Sequence, residues 1–201
     1  MTAVGEITTQ SSSFPPNLAE RLISVVSEAI RQKISELPDL PTAIADQLIN
    51  QGRDRLTLDI ELPDPRLENL EQLVRQMDIK GRLTSTLVLR SLCTGHFEFF
   101  EVAAARRAGI DPDNARALIA AGSQQGAAAL CKAAKLPNTF GEIVAISGRI
   151  RPAMADLNNA EGRQQFQDKL IESCQVRYPD LADRDIEALI AKFTPALGRQ
   201  K

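Results

Sequence analysis

The sequence predicts an all-α protein of about eight helices in antiparallel pairs, arranged as a bundle or a short solenoid. Three observations lead there. Apolar residues recur at spacings of three and four through most of the 201-residue chain, the period of one helix face. Between Gly81 and Pro137, three apolar segments end on Gly95, Gly109 and Gly122, and a fourth ends at Pro137. Glycine just past such a run enters the left-handed region without a Cβ clash, and so stops a helix. The apolar material is mostly Leu, Ile and Ala, with 4% aromatic residues and no Trp, a composition that suits helices.

Residues 1–16 are polar, rich in Ser and Thr, and end at Pro15-Pro16; they are read as a flexible tail. They lack the basic start and apolar run of a signal peptide. One helical domain is expected over residues 17–196, followed by a basic tail at 197–201. Asn17 is a good N-cap for a first helix with an apolar face of Leu18, Leu22, Val25, Val26, Ala29, Ile30 and Ile34. Pro38 stops it. Pro41-Thr42 opens a second segment, interrupted at Gly52. There Leu56, Leu58, Ile60 and Leu62 alternate with a strand period. A lone alternation among helices has no partner strand, so the segment is read as helix to about Glu61.

Asp64-Pro65 opens the next helix, whose stripe of Leu67, Leu70, Leu73, Val74 and Met77 runs to Gly81. Thr84 or Ser85 caps a helix holding Leu87, Val88, Leu89, Leu92 and Cys93. After Gly95 come Phe97, Phe99 and Phe100, three of the chain's seven phenylalanines, which mark the centre of the core. Asp111-Pro112 repeats the start signal 47 residues after Asp64-Pro65, within the period of helix-pair repeats, but the residues between the two starts align poorly. Ser123 caps Ala127 to Ala134. Thr139 and Glu142 form a capping box for a helix with Ile143, Val144, Ile146 and Ile150, fading near Asn158-Asn159. Another helix runs from Ala160 to Tyr178 with Phe166, Leu170, Ile171 and Cys174 on one face. Asp180 and Asp183 cap a last helix that Pro195 ends.

The residues of Gly81 to Pro137 also resemble a known family. The runs Gly-Arg-Leu-Thr, Leu-Val-Leu-Arg-Ser-Leu-Cys, Gly-His-Phe-Glu-Phe-Phe-Glu and Leu-Cys-Lys-Ala-Ala-Lys-Leu-Pro are similar to an uncharacterised domain-of-unknown-function family found mainly in alphaproteobacteria. The likeness covers about a third of the chain strongly and Asn17 to Ile34 more weakly. It implies an all-helical, HEAT-like build in a cytoplasmic protein, and no activity or catalytic residue to carry over.

Little chemistry is furnished by the residues themselves. His96 is the only histidine, and zinc sites need about four close ligands, so it is read as structural. Glu98 and Glu101, three apart on the phenylalanine helix, are read as a solvated pair offset by Arg106 and Arg107. Neither phosphate-loop glycine pattern is present, and Gly122-Ser-Gln-Gln-Gly126 is read as a plain inter-helix turn. No cofactor is expected. Cys93, Cys131 and Cys174 each fall inside a helical pattern and are read as buried reduced thiols of a cytoplasmic protein. No apolar stretch reaches the roughly 18 to 20 residues of a membrane span.

Net charge is only -2, but it is unevenly spread. Met1 to Asp78 carries 7 Lys/Arg against 13 Asp/Glu, Ile79 to Arg151 carries 10 against 5, and Pro152 to Lys201 carries 7 against 8. The basic middle offers Arg82, Arg90, Arg106, Arg107 and Arg116 as an interaction surface. An acidic front and a basic middle would also favour self-association. A pI near 5.6 and no densely basic helix count against nucleic acid as the partner. The sequence therefore points to a protein-protein interaction or regulatory scaffold module with an unidentified protein partner. Nucleic-acid binding through the basic middle and an enzyme without recognisable motif stand as alternatives.

Overall fold

A computed structural model describes residues 16–35, 42–61, 67–154, 156–178 and 190. The chain gathers into two compact units, Met1–Pro65 and Arg66–Lys201. Every regular element among the described residues is helical, as the 3.6-residue periodicity requires.

The described residues of the first unit form a helix pair, α1 (Pro16–Ser35) and α2 (Thr42–Glu61). Helix α2 runs unbroken through Gly52 and on through Leu56, Leu58 and Ile60, so the strand-like spacing falls in a helix that buries Leu58, while Leu62 lies outside the described residues. A Cβ at Gly52 would meet only the Ile30 Cδ1 at 3.5 Å, ordinary contact. The buried face of α1 centres on Ile23, which the expected stripe left out, and the side chains of Leu18 and Leu22 lie outside the described residues. Ile23 and Ser27 are buried, Val26, Ile30 and Ile34 are half-buried, and Val25 is 66% exposed. Residues two apart point about 200° apart on a helix, so burying Ile23 turns Val25 outward. Ser27 satisfies its hydroxyl on the Ile23 carbonyl at 2.6 Å.

The second unit begins with α3 (Leu67–Ile79), α4 (Ser85–Cys93), α5 (Phe97–Ala108), α6 (Pro112–Ala120), α7 (Gln124–Ala133) and α8 (Phe140–Ile150). A 3-10 turn at Arg151–Ala153 then leads to α9 (Ala160–Arg177). Stop signals fall where the glycines stand. At Gly95 (φ 84°) the His96 N–H reaches back to the Ser91 carbonyl at 2.8 Å, closing the wider loop of a Schellman motif. The same pattern closes α7 without glycine: Lys135 holds φ 54° and Leu136 donates to the Cys131 carbonyl at 2.8 Å. Thr84, Asp111 and Ser123 cap α4, α6 and α7 through their side chains, and Asn159 caps α9.

Thr139 and Glu142 form no capping box. Thr139 is already helical, at φ -60° and ψ -23°, and its side chain caps nothing. The Pro137 and Asn138 carbonyls accept from Phe140 and Gly141 instead, so Glu142 is left for other partners. Asp64-Pro65 and most of the expected last helix lie outside the described residues; of that helix Ile190 is described, helical and buried.

Helices α5 and α8 hold the unit together. Helix α5 packs on α3, α4, α6 and α7, and α8 on α4, α6, α7 and α9. The core gathers Phe99 and Phe100 of α5, Phe140 of α8 and Phe166 of α9, all fully buried, with Phe97 edge-on to Phe166 at 5.0 Å. Close approach of α8 depends on its small residues. A Cβ at Gly148 would lie 2.0 Å from the Ile119 carbonyl oxygen, and one at Gly141 3.0 Å from the Ala128 Cα. Gly141, Ala145 and Gly148 are spaced four and three, so they share a face. That face meets α7 and the end of α6.

Candidate interaction surface

Antiparallel succession brings the α3 C-terminus, the α4 N-terminus, the α5 C-terminus and the α7–α8 turn to one end of the second unit. Two arginines from the last turn of α5 tie that end together. Arg106 Nε donates to Asp78 Oδ2 at 2.8 Å, where α3 ends. Arg107 donates to Ser85 Oγ at 2.9 Å, in the first turn of α4, and to the Lys135 carbonyl at 3.3 Å. Both arginines also lie where a helix C-terminus favours positive charge. Partial burial lowers the Arg107 pKa, with Asp78 opposing that effect. Lys80, Arg82 and Lys135 belong to the connecting turns of the same end, with Lys80 and Lys135 exposed and Arg82 half-buried. Residues up to 55 positions apart in the chain (80 to 135) thus form one basic end face.

Of the five arginines expected on a surface, Arg82, Arg106 and Arg107 belong to this end. Arg116 does not share it: its Nε donates to Glu101 at 3.0 Å and its Nη1 to Asp113 at 2.7 Å. Arg90 is excluded from any surface at 0% exposure. Helix α4 is buried from Leu87 through Cys93, so it has no solvated side to offer. A helix enclosed all round hides its one charged residue from a one-face reading.

Glu101 overturns the solvated-pair reading. Glu98 is exposed, whereas Glu101 is 0% exposed. Its two oxygens are held by different elements: Arg116 of α6 takes Oε2 and Arg151 of the 3-10 turn takes Oε1. Arg151 also lies over the Phe97 ring, 4.7 Å from its centroid; Phe97 and Glu101 are one helical turn apart, so one guanidinium spans both. Hydrogen bonding to Glu101 raises the Arg116 pKa. With each oxygen on a guanidinium from a different element, the Glu101 carboxylate clasps α5, α6 and the 3-10 turn together.

Other ionisable groups are committed in the same way. His96 has its Nδ1 2.9 Å from Thr94 Oγ1, and its pKa falls to about 4 through burial, with nearby Arg163 adding to the effect. Glu142 accepts from the Tyr178 hydroxyl and pairs with Arg177; that hydrogen bond raises the Tyr178 pKa. Cys93, Cys131 and Cys174 are free and buried. Burial pushes the Cys131 thiol up to about 12 and Cys174 up to about 11, which suppresses the reactive thiolate. Among the described residues no group of three His, Cys, Asp or Glu side chains could hold a metal ion. A cleft of about 440 Å³ beside α9 is lined by Asp168, Ile171, Glu172 and Gln175; its two carboxylates are a helical i,i+4 pair. Among the described residues no helix is long and apolar enough to cross a membrane.

No curated protein and no solved structure matches the chain. A family profile matches residues 1–182, most of the chain. The protein therefore belongs to the bacterial family described as "Uncharacterised protein conserved in bacteria (DUF2336)".

Proposed function

We propose that this protein acts by binding another protein, as an interaction or regulatory scaffold module of the bacterial cytoplasm, and that it carries out no catalysis. One observation carries the reading: Lys80 and Arg82 of the α3–α4 turn, Arg106 and Arg107 of the last turn of α5, and Lys135 of the α7–α8 turn come to one end of the unit. Building that face consumes hydrogen bonds between helix ends, so its charge pattern is held in place. Lys80, Arg106 and Lys135 are exposed and Arg82 and Arg107 half-buried, and charges at a surface steer association and choose partners. Of the inward-facing groups, Glu101 is clasped by two arginines, burial lowers the His96 pKa to about 4, and burial raises the Cys131 and Cys174 thiols. Successive short helices joined by three-residue turns from α4 to α7 support a HEAT-like stacking, in which function lies on exposed faces. The buried thiols support a reducing compartment.

The test is an affinity capture from native cytoplasm with the full chain and with a Lys80→Glu/Arg82→Glu variant. The proposal expects a protein retained by the parent chain and lost by the variant at equal helicity. Retention of nothing, or of the same proteins by both, would count against it.

A further inference from the structure

Helix α9 is held to its unit differently from the helices at the centre. Helix α5 buries eight of its 12 residues and α8 eight of its 11, whereas α9, with 18, buries Phe166, Leu170, Ile171 and Cys174. Among the described residues α9 packs on α8, and two ties fix its ends. At the first, Phe166 meets Phe97 edge-on at 5.0 Å. There the Arg163 stem also covers Gly95, its Cγ 3.2 Å from where a Cβ would stand. At the second, Arg177 and the Tyr178 hydroxyl engage Glu142 of α8. Between the ties, Asp168, Glu172 and Gln175 line the cleft beside α9. An element with few buried contacts for its length is the first to open. We propose that α9 is a strap that lifts from the unit as one helix, and that protonation of His96 drives the lifting.

A pivot is built in. Arg151, paired with Glu101 and laid over Phe97, pins the 3-10 turn to α5. Helix α9 carries its own start: Asn159 caps the Gly162 N–H, and Asp156 accepts from the Asn158 N–H and the Asn159 amide. The pivot therefore falls between the turn and Asp156, where Met154 is extended. Because the cap travels with the helix, α9 can leave without unwinding. His96 stands at the first tie, next to Gly95. Thr94, at the end of α4, is its hydrogen-bond partner. Arg163 is the charged group that reaches it from α9, and Arg151 of the 3-10 turn is taken up by Glu101. A proton on His96 puts a second positive charge beside Arg163, where burial already disfavours it. Lifting α9 removes Arg163 and lets water reach the imidazolium. The closed strap is thus favoured in full above the ordinary value of 6.5 and loses ground as pH falls toward about 4, the closed value. Lifting bares Phe97, Phe166 and Leu170, so acid exposes apolar surface that the closed form hides. The motion is independent of what the basic end binds.

Three native cysteines report the motion: Cys174 lies in α9, while Cys93 and Cys131 lie in α4 and α7, all free and buried. The full chain is treated with methyl methanethiosulfonate between pH 8 and pH 5. Labelling at each thiol is followed by mass spectrometry, relative to the unfolded chain at the same pH. Cys174 is expected to label at least about tenfold faster than the other two. With a pKa of 6.5 in the lifted form and about 4 in the closed one, its opening should rise about thirtyfold from pH 8 to pH 5. His96→Gln should remove most of that rise. Glu142→Gln, which loosens the second tie, should speed Cys174 at every pH and keep the rise. Hydrogen exchange in the parent chain reads the same motion without a substitution. Amides of α9 should exchange faster than those of α5 and α8, and faster again in acid once intrinsic exchange is corrected for. Three cysteines labelling together, a corrected Cys174 rate indifferent to pH, or an undiminished rise in His96→Gln would overturn the proposal.

Discussion

A Gly→Ala series tests the packing of α8 with a control inside the same chain. Alanine in place of a helical glycine gains about 1 kcal/mol of helix propensity wherever there is room for the methyl group. At Gly52 the new Cβ would stand 3.5 Å from a flexible Ile30 methyl, so Gly52→Ala should stabilise by about 0.5–1 kcal/mol. At Gly141 it would stand 3.0 Å from the Ala128 Cα and 3.2 Å from its N. The helices must give by a few tenths of an ångström, which cancels the gain and leaves a loss of about 0–1 kcal/mol. At Gly148 it would stand 2.0 Å from the Ile119 carbonyl oxygen and 3.3 Å from the Gly122 Cα. Neither neighbour is a side chain that can swing aside, so α8 must separate from the end of α6. Overpacking of that size costs about 3 kcal/mol or more, and Gly148→Ala should lose at least about 2 kcal/mol net of the propensity gain. Urea unfolding followed by circular dichroism measures all three. A Gly148→Ala protein as stable as the parent, or more so, would refute the close α6–α8 approach.

Three further outcomes follow from the same geometry. Glu101→Ala should destabilise by about 3 kcal/mol, toward the lower end for a broken buried pair, because Arg116 and Arg151 are 36% and 30% exposed and can turn to water; Glu101→Gln should cost less, and unfolding curves would distinguish them. His96 is held neutral in the fold, with a pKa of about 4 against an ordinary 6.5. Its contribution, up to about 3 kcal/mol, is present above pH 6.5 and is lost as pH falls from there to 4, so stability of the parent relative to His96→Gln should drop across that window and stay flat above it. Lys135→Gly relieves a non-glycine residue at φ 54° and should stabilise by about 1 kcal/mol, read as a raised melting temperature.

The helical class was legible because its signals are local. Gly81, Gly95, Gly109 and Gly122 all take positive φ at helix ends, as glycine after an apolar run implies, and Thr84, Asp111 and Ser123 cap as their types suggest. What local pattern could not supply was which neighbours surround each helix. Gly141 and Gly148 sit inside α8, where glycine reads as a weakness; their reason is a facing backbone on α7 and at the end of α6. Glu101 looked like a partner for exposed Glu98 because the two are three residues apart. The cations that hold it are 15 and 50 residues away, beyond any helical spacing. The same holds for the end face. Arg106 and Arg107 were visible as a basic pair, but Asp78, Ser85 and the Lys135 carbonyl become their partners only when antiparallel helices bring three connections together.

The central claim is that this basic end is where the protein meets its partner, and site-specific photo-crosslinking in living cells tests it most directly. A benzophenone amino acid placed at Ile79 should yield a discrete adduct with another protein, weakened when Lys80 becomes Glu, and the same group at exposed Gln125 on α7 should not. Equal adducts at both positions, or none at Ile79, would contradict the account.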